Sequence, residues 1–139
     1  MPSKEKGKTI LIVEEEVPDR KSMREALERE GYTVLEAMNY WDALRAYQGH
    51  PDRIDMLLTA IALPGNNGYE LARALLELNR NLKTLFVSGP TGAEVSRFYN
   101  MPVAGRHLLD KPVELADLTR RVNSVFRSRG KKVHVQRAG

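Results

Sequence analysis

Thr9-Ile10-Leu11-Ile12-Val13, followed at once by Glu14-Glu15-Glu16, is the stretch on which the fold turns. An unbroken β-branched and aliphatic run describes a strand buried on both faces, because a strand with one wet face alternates apolar with polar residues. Strands buried on both faces belong to parallel sheets, whose crossover helices cover both sides. The three glutamates put charge directly beyond the strand's carboxyl end. In open α/β sheets the functional crevice lies there.

Outward from this stretch the pattern repeats. Residues 20–30 place Met23, Ala26 and Leu27 at helical spacing, and Gly31 stops the helix. Thr33 to Ala37 reads as a second strand. Asn39 can cap a second helix carrying Ala43, Leu44 and Tyr47. Met56 to Ala60 is a third strand, and Pro64-Gly65-Asn66-Asn67-Gly68 is a loop by composition. A third helix over Tyr69 to Leu78 turns Leu71, Ala72, Leu75 and Leu76 inward. A fourth strand covers Thr84 to Ser88, a short helix Ala93 to Tyr99, and a brief fifth strand His107 to Leu109. The last helix begins near Val113 or Glu114 and runs to about Arg127, with Leu115, Leu118, Val122, Val125 and Phe126 inward. Five strands alternating with five helices predict an α/β fold, a parallel sheet covered on both faces.

At 139 residues the chain has the length of one domain. The expected division is a polar extension over 1–7, the domain over 8–128 and a basic, disordered tail over 129–139. With no cysteine, disulfides, thiolate metal sites and cysteine nucleophiles are excluded. No apolar run approaches the roughly 18 residues of a membrane span, and residues 1–8 carry no apolar signal core, so cytoplasmic residence is the default expectation. Charge is uneven. Residues 1–8 hold three lysines against one glutamate, and 127–139 hold five basic residues and no acid, which leaves the middle net acidic.

Strand 1 ends in Glu14, Glu15 and Glu16, strand 3 in Ala60, strand 4 in Ser88 and strand 5 in Asp110 and Lys111. Acids after a buried strand suit a hard divalent cation such as Mg²⁺. A hydroxyl and a lysine suit phosphoryl oxygens. A nucleophilic carboxylate would complete the set at the end of strand 3, and Ala60 stands there instead.

These pieces together resemble the receiver domain of two-component response regulators. The resemblance spans roughly residues 8–127. It rests on Ile10-Leu11-Ile12-Val13-Glu14-Glu15-Glu16, Gly31-Tyr32-Thr33-Val34, Asp42-Ala43-Leu44, Leu63-Pro64-Gly65-Asn66-Asn67-Gly68-Tyr69-Glu70-Leu71, Phe86-Val87-Ser88-Gly89 and Lys111-Pro112. It implies a flavodoxin-like, doubly wound five-stranded sheet of order 2-1-3-4-5. It also implies that Glu14 and Glu15 match the Mg²⁺-binding acidic pair, Ala60 the phosphate-accepting aspartate, Ser88 the phosphate-sensing hydroxyl and Lys111 the phosphate-pairing lysine. Lys111-Pro112 matches the family's cis peptide, and Leu108 falls at the switch aromatic. His107 is adjacent but points to the other face if the strand is regular.

The departures gather in the pocket. An alanine methyl neither attacks phosphorus nor ligates a metal, so no metal is expected beyond a weak Mg²⁺ site at Glu14 and Glu15. Lys111 loses its central anion, which leaves Glu14 or the longer reach of Glu15 to partner it. Thr59 should face away from Ala60. Trp41 reads as a partner anchor or as helix packing. Tyr40 stands where the family often has glycine. His50, His107 and His134 are too scattered for a metal site, and Phe98 and Tyr99 fit either core packing or a binding face.

The leading expectation is a pseudo-receiver: a non-enzymatic protein–protein interaction module that cannot be phosphorylated at Ala60. Its expected output face combines the fourth predicted helix, the fifth strand and the last helix. A second reading makes Ala60 an engineered Asp-to-Ala form of a true phosphorelay receiver served by a histidine kinase. Leu108 and Glu15 count against it, since an engineered block changes one site. A third reading has the basic tail bind nucleic acid or an anionic surface. It lacks interleaved aromatics and a helix-turn-helix.

Overall fold

The structure, a computed structural model, describes residues 7–89 and 108–128. Among these residues nine elements follow one another: β1 (Thr9–Val13), α1 (Val17–Arg29), β2 (Thr33–Ala37), α2 (Tyr40–Gly49), β3 (Met56–Ala60), α3 (Gly68–Leu78), β4 (Lys83–Ser88), β5 (Leu108–Asp110) and α4 (Leu115–Arg127). The strands form one parallel sheet in the order β2-β1-β3-β4-β5. This is the flavodoxin-like arrangement expected. The expected helix at Ala93–Tyr99, the residues Phe98, Tyr99, His107 and His134, and the tail from 129 lie outside the described residues.

Alternation in the buried strands builds two cores. Leu11, Val13, Leu57 and Phe86 face Ala43, Tyr47, Leu71 and Leu75 of α2 and α3. Ile10, Ile12, Met56, Leu58, Leu85 and Val87 face Met23 and Leu27 of α1 and Leu118, Val122 and Val125 of α4. Every residue of Ile10–Val13 is fully buried, which is why no polar residue interrupts the run.

Helix boundaries follow their caps. The Asn39 side chain accepts from the Asp42 backbone N–H at 2.7 Å, Asn67 from Glu70 at 2.8 Å and Glu114 from Asp117 at 2.9 Å. α1 starts at Val17, three residues before the expected Arg20, because Pro18 sits at its first turn, where a missing N–H costs nothing. β5, described over Leu108–Asp110, runs one residue beyond its expected end at Leu109. Gly68 was expected in the loop but is the first residue of α3. Its N–H donates to the Ile61 carbonyl at 2.7 Å.

Candidate functional site

Because the described strands run parallel, their carboxyl ends open on one edge, and the five expected pocket residues lie along it. Val13 pairs with Thr59 in the ladder, Ala60 with Val87, and Ser88 with Asp110. Glu14 follows β1, Ala60 ends β3, Ser88 ends β4 and Lys111 follows β5. Glu15 also follows β1, but its side chain region is exposed.

Glu14 is the centre of the constellation, at 2% exposure. Its Oε1 lies 3.0 Å from the Lys111 ammonium, and its Oε2 accepts from the Glu16 backbone N–H at 3.0 Å. Arg20 donates through Nη1 to the Glu14 carbonyl at 2.7 Å and is itself held by Glu36. Lys111 has a second partner, the Asp19 carboxylate at 3.4 Å. Asp19 was not singled out in the sequence. The available signal was its place in the first turn of α1, two residues beyond the helix start. The Lys111-Pro112 peptide is cis, as the resemblance implied. A cleft of about 380 Å³ lies against this cluster, with Asp19, Ser22, Met23, Pro112 and Leu115 in its wall.

Of the two glutamates considered as partners for Lys111, Glu14 takes the role, and Glu15 forms no ion pair among the described residues. Burial lowers the affinity of Lys111 for its proton. The attraction of Glu14, and then of Asp19, outweighs this and holds its pKa above the ordinary lysine value. A raised lysine pKa stabilises the fold fully below the unfolded value, near 10.5, and that stability is lost as pH rises through the folded value. The melting-temperature gap between the wild type and Lys111→Met is therefore expected to stay level from neutral pH to about pH 10 and to close above it. A gap that closes near neutral pH would assign the stabilisation to other groups.

Ala60 is 6% exposed, and its carbonyl accepts from the Thr59 hydroxyl at 2.9 Å. The Thr59 hydroxyl is thus bound to backbone. Ser88 is fully buried, and its carbonyl accepts from the Lys111 N–H at 3.2 Å. Leu108 is half-buried against the α2–α3 core, and its carbonyl accepts from Arg121 at 2.9 Å. A hard divalent cation needs several converging oxygens. Here Glu14 Oε1 is buried without a hydrogen bond but faces the Lys111 ammonium at 3.0 Å, Oε2 accepts from the Glu16 N–H, Ala60 offers a methyl group, and no cluster of three acids or histidines among the described residues could hold a metal. The residues as arranged do not fit a Mg²⁺ ion, and no step is derived through one.

Tyr40 is buried, whereas Trp41, the single tryptophan, is 56% exposed and stands edge-on to Tyr40. Trp41 therefore contributes little to the core. His50 is exposed at the end of α2, its Nδ1 3.0 Å from the Ala46 carbonyl.

A parallel sheet of this order, with an acid and a lysine paired across its carboxyl edge, defines a receiver-type signalling domain. The sequence matches the response regulator receiver domain family over residues 10–123, and the chain belongs to that family. It is 35% identical over 127 residues to the phosphate regulon transcriptional regulatory protein PhoB of Pseudomonas aeruginosa, covering 89% of this chain and 54% of PhoB. It is 31% identical over 119 residues to the response regulator receiver protein CpdR of Brucella abortus, covering 86% of this chain and 97% of CpdR. The chain thus spans about half of the first relative and nearly all of the second. Among solved structures, the receiver domain of the hybrid histidine kinase CckA superposes with a TM-score of 0.71 at 27% identity, covering 86% of this chain and 99% of that one. A response regulator receiver protein from Sinorhizobium medicae gives 0.76 at 22% identity, covering 88% and 97%, a likeness of fold. No helix among the described residues is long and apolar enough to cross a membrane.

Proposed function

We propose that this receiver domain signals without aspartyl phosphorylation, as a non-enzymatic protein–protein interaction module of the cytoplasm. The observation that carries the proposal is Ala60 at the carboxyl end of β3, opposite Val87 of β4 and beside the acid–lysine pair. A methyl group has no lone pair with which to attack phosphorus. The Thr59 hydroxyl is bound to the Ala60 carbonyl, which disfavours it as a substitute acceptor. Lys111, the cation that would otherwise meet a phosphoryl group, is bracketed by Glu14 and Asp19. In this reading the β5–α4 connection is held in one arrangement, regulation comes from partner binding or abundance, and Mg²⁺ binds weakly at most. The partner-binding face includes β5 and α4.

The test is incubation with acetyl phosphate and Mg²⁺, followed by intact mass, beside Ala60→Asp. The wild type is expected to gain no phosphoryl group and to give amide NMR spectra unchanged by beryllofluoride. A phosphorylated wild type overturns the proposal. Ala60→Asp is expected to melt lower than the wild type in Mg²⁺-free buffer, because it adds a carboxylate at a buried site whose lysine already serves two. An equal or higher melting temperature would show that Lys111 accommodates a third acid.

A further inference from the structure

The carboxyl edge carries a second surface, on the β2 side, that the acid–lysine pair does not use. Three loops meet there. The Glu14 N–H donates to the Ala37 carbonyl at 3.1 Å, which sets the β1–α1 loop beside the end of β2. The Tyr40 N–H donates to the Pro64 carbonyl at 3.4 Å, which sets the start of α2 against the β3–α3 loop. The Trp41 indole lies over Gly65 closely enough that a Cβ built there would stand 3.2 Å from Nε1. Around this junction Met38 is 48% and Trp41 56% exposed, and Pro64 is exposed as well. Burying these side chains against core would have stabilised the fold, so their exposure marks a surface suited to a partner. Its flank is acidic. Glu15 and Glu16 are exposed and form no ion pair among the described residues.

The same chain carries a segment of complementary chemistry. Residues 129–139 hold Arg129, Lys131, Lys132 and Arg137 around Val133 and Val135, with no acid. We infer that the basic tail of one copy docks on the Met38–Trp41 surface of another, its cations against Glu15 and Glu16 and its valines against the indole. On the tail's own domain this surface is out of reach of the first three cations. Ser128 lies at the amino edge of the sheet, its carbonyl 3.5 Å from Nζ of Lys83 at the start of β4. The opposite edge is the length of α4 away, about 20 Å for a 13-residue helix. α2 also packs on the other face of the sheet from α4, at least a further ~10 Å. Arg129, Lys131 and Lys132 fall within four residues of Ser128, a backbone reach of about 14 Å. For these three cations the contact is therefore head-to-tail between copies.

Sedimentation of the full chain tests this, with Trp41 emission as the site's own reporter. In about 0.1 M salt, where charges are screened over about 10 Å, average mass should rise with concentration and the emission should shift to the blue. In about 1 M salt both effects should vanish. Trp41→Ala removes the docking surface, and the double substitution Lys131→Ser with Lys132→Ser removes the cations. Each alone should weaken association by about tenfold or more. Mixing the two variants should restore heterodimers, since each supplies what the other lacks, and only the tail variant then carries a reporting tryptophan. A chain that stays monomeric overturns the inference. So does association that survives both substitutions, that the mixture fails to restore, or that disappears on nuclease treatment.

Discussion

Gly68→Ala is expected to lower stability by about 3 kcal/mol, at the upper end of what overpacking costs. The cause is contact rather than backbone conformation. A Cβ at Gly68 would stand 2.1 Å from the Ala60 carbonyl oxygen and 3.1 Å from the Thr59 methyl group. The neighbour is backbone of a central strand, with Ala60 paired to Val87 of β4 and Thr59 before it to Val13 of β1, so it has little room to give. Relief requires moving the first turn of α3, which would stretch the 2.7 Å bond from the Gly68 N–H to the Ile61 carbonyl. For a chain of this length that is a fall of about 10 °C in melting temperature, readable by thermal or urea denaturation. A change below about 1 kcal/mol would mean that α3 shifts freely over β3. The β3–α3 turn would then not be fixed by this contact.

Lys111→Met is the second large effect, expected to cost about 2–4 kcal/mol. Breaking a fully buried ion pair by removing one partner costs about 3–5 kcal/mol. The value here is set lower because the Lys111 side chain is 24% exposed and Glu14 keeps the Glu16 N–H. The loss arises from leaving Glu14 charged and nearly enclosed, with Arg20 reaching only its backbone carbonyl. Glu14→Gln should therefore rescue Lys111→Met in part. In a double-mutant cycle the pair should cost less than the sum of the single changes. Additive costs would show that the ion pair contributes little and that the site is held by packing. Asp19→Asn should be the mildest of the three, because that carboxylate is about half exposed.

The first prediction comes from a contact across one turn, Gly68 on Ala60, and the second from a pair that joins distant parts of the chain, Glu14 and Lys111. The inner strands were legible because burial on both faces leaves a local mark: Thr9–Val13 and Met56–Ala60 have the bounds read from their apolar runs, and the half-exposed edge strand Thr33–Ala37 also has the bounds expected. Other boundaries moved by one to three residues, among them β4, which begins at Lys83 rather than Thr84, and α3, which begins at Gly68 rather than Tyr69. α1 begins earlier than its apolar spacing suggests, because a first turn carries no core residue to announce it.

The sequence by itself determined that this is a parallel α/β receiver-type domain with alanine where an acceptor carboxylate would stand. It did so because strand burial and strand-end chemistry are written in consecutive residues. Only the tertiary structure decided which acid holds Lys111. Glu14 and Glu15 are neighbours in sequence and similar in chemistry, yet strand direction buries Glu14 and leaves Glu15 exposed. Asp19 enters the same cluster from α1, and Trp41 comes to lie over Gly65, through helix packing onto the sheet. These pairings join residues far apart in the chain, and local pattern carries no record of such distances.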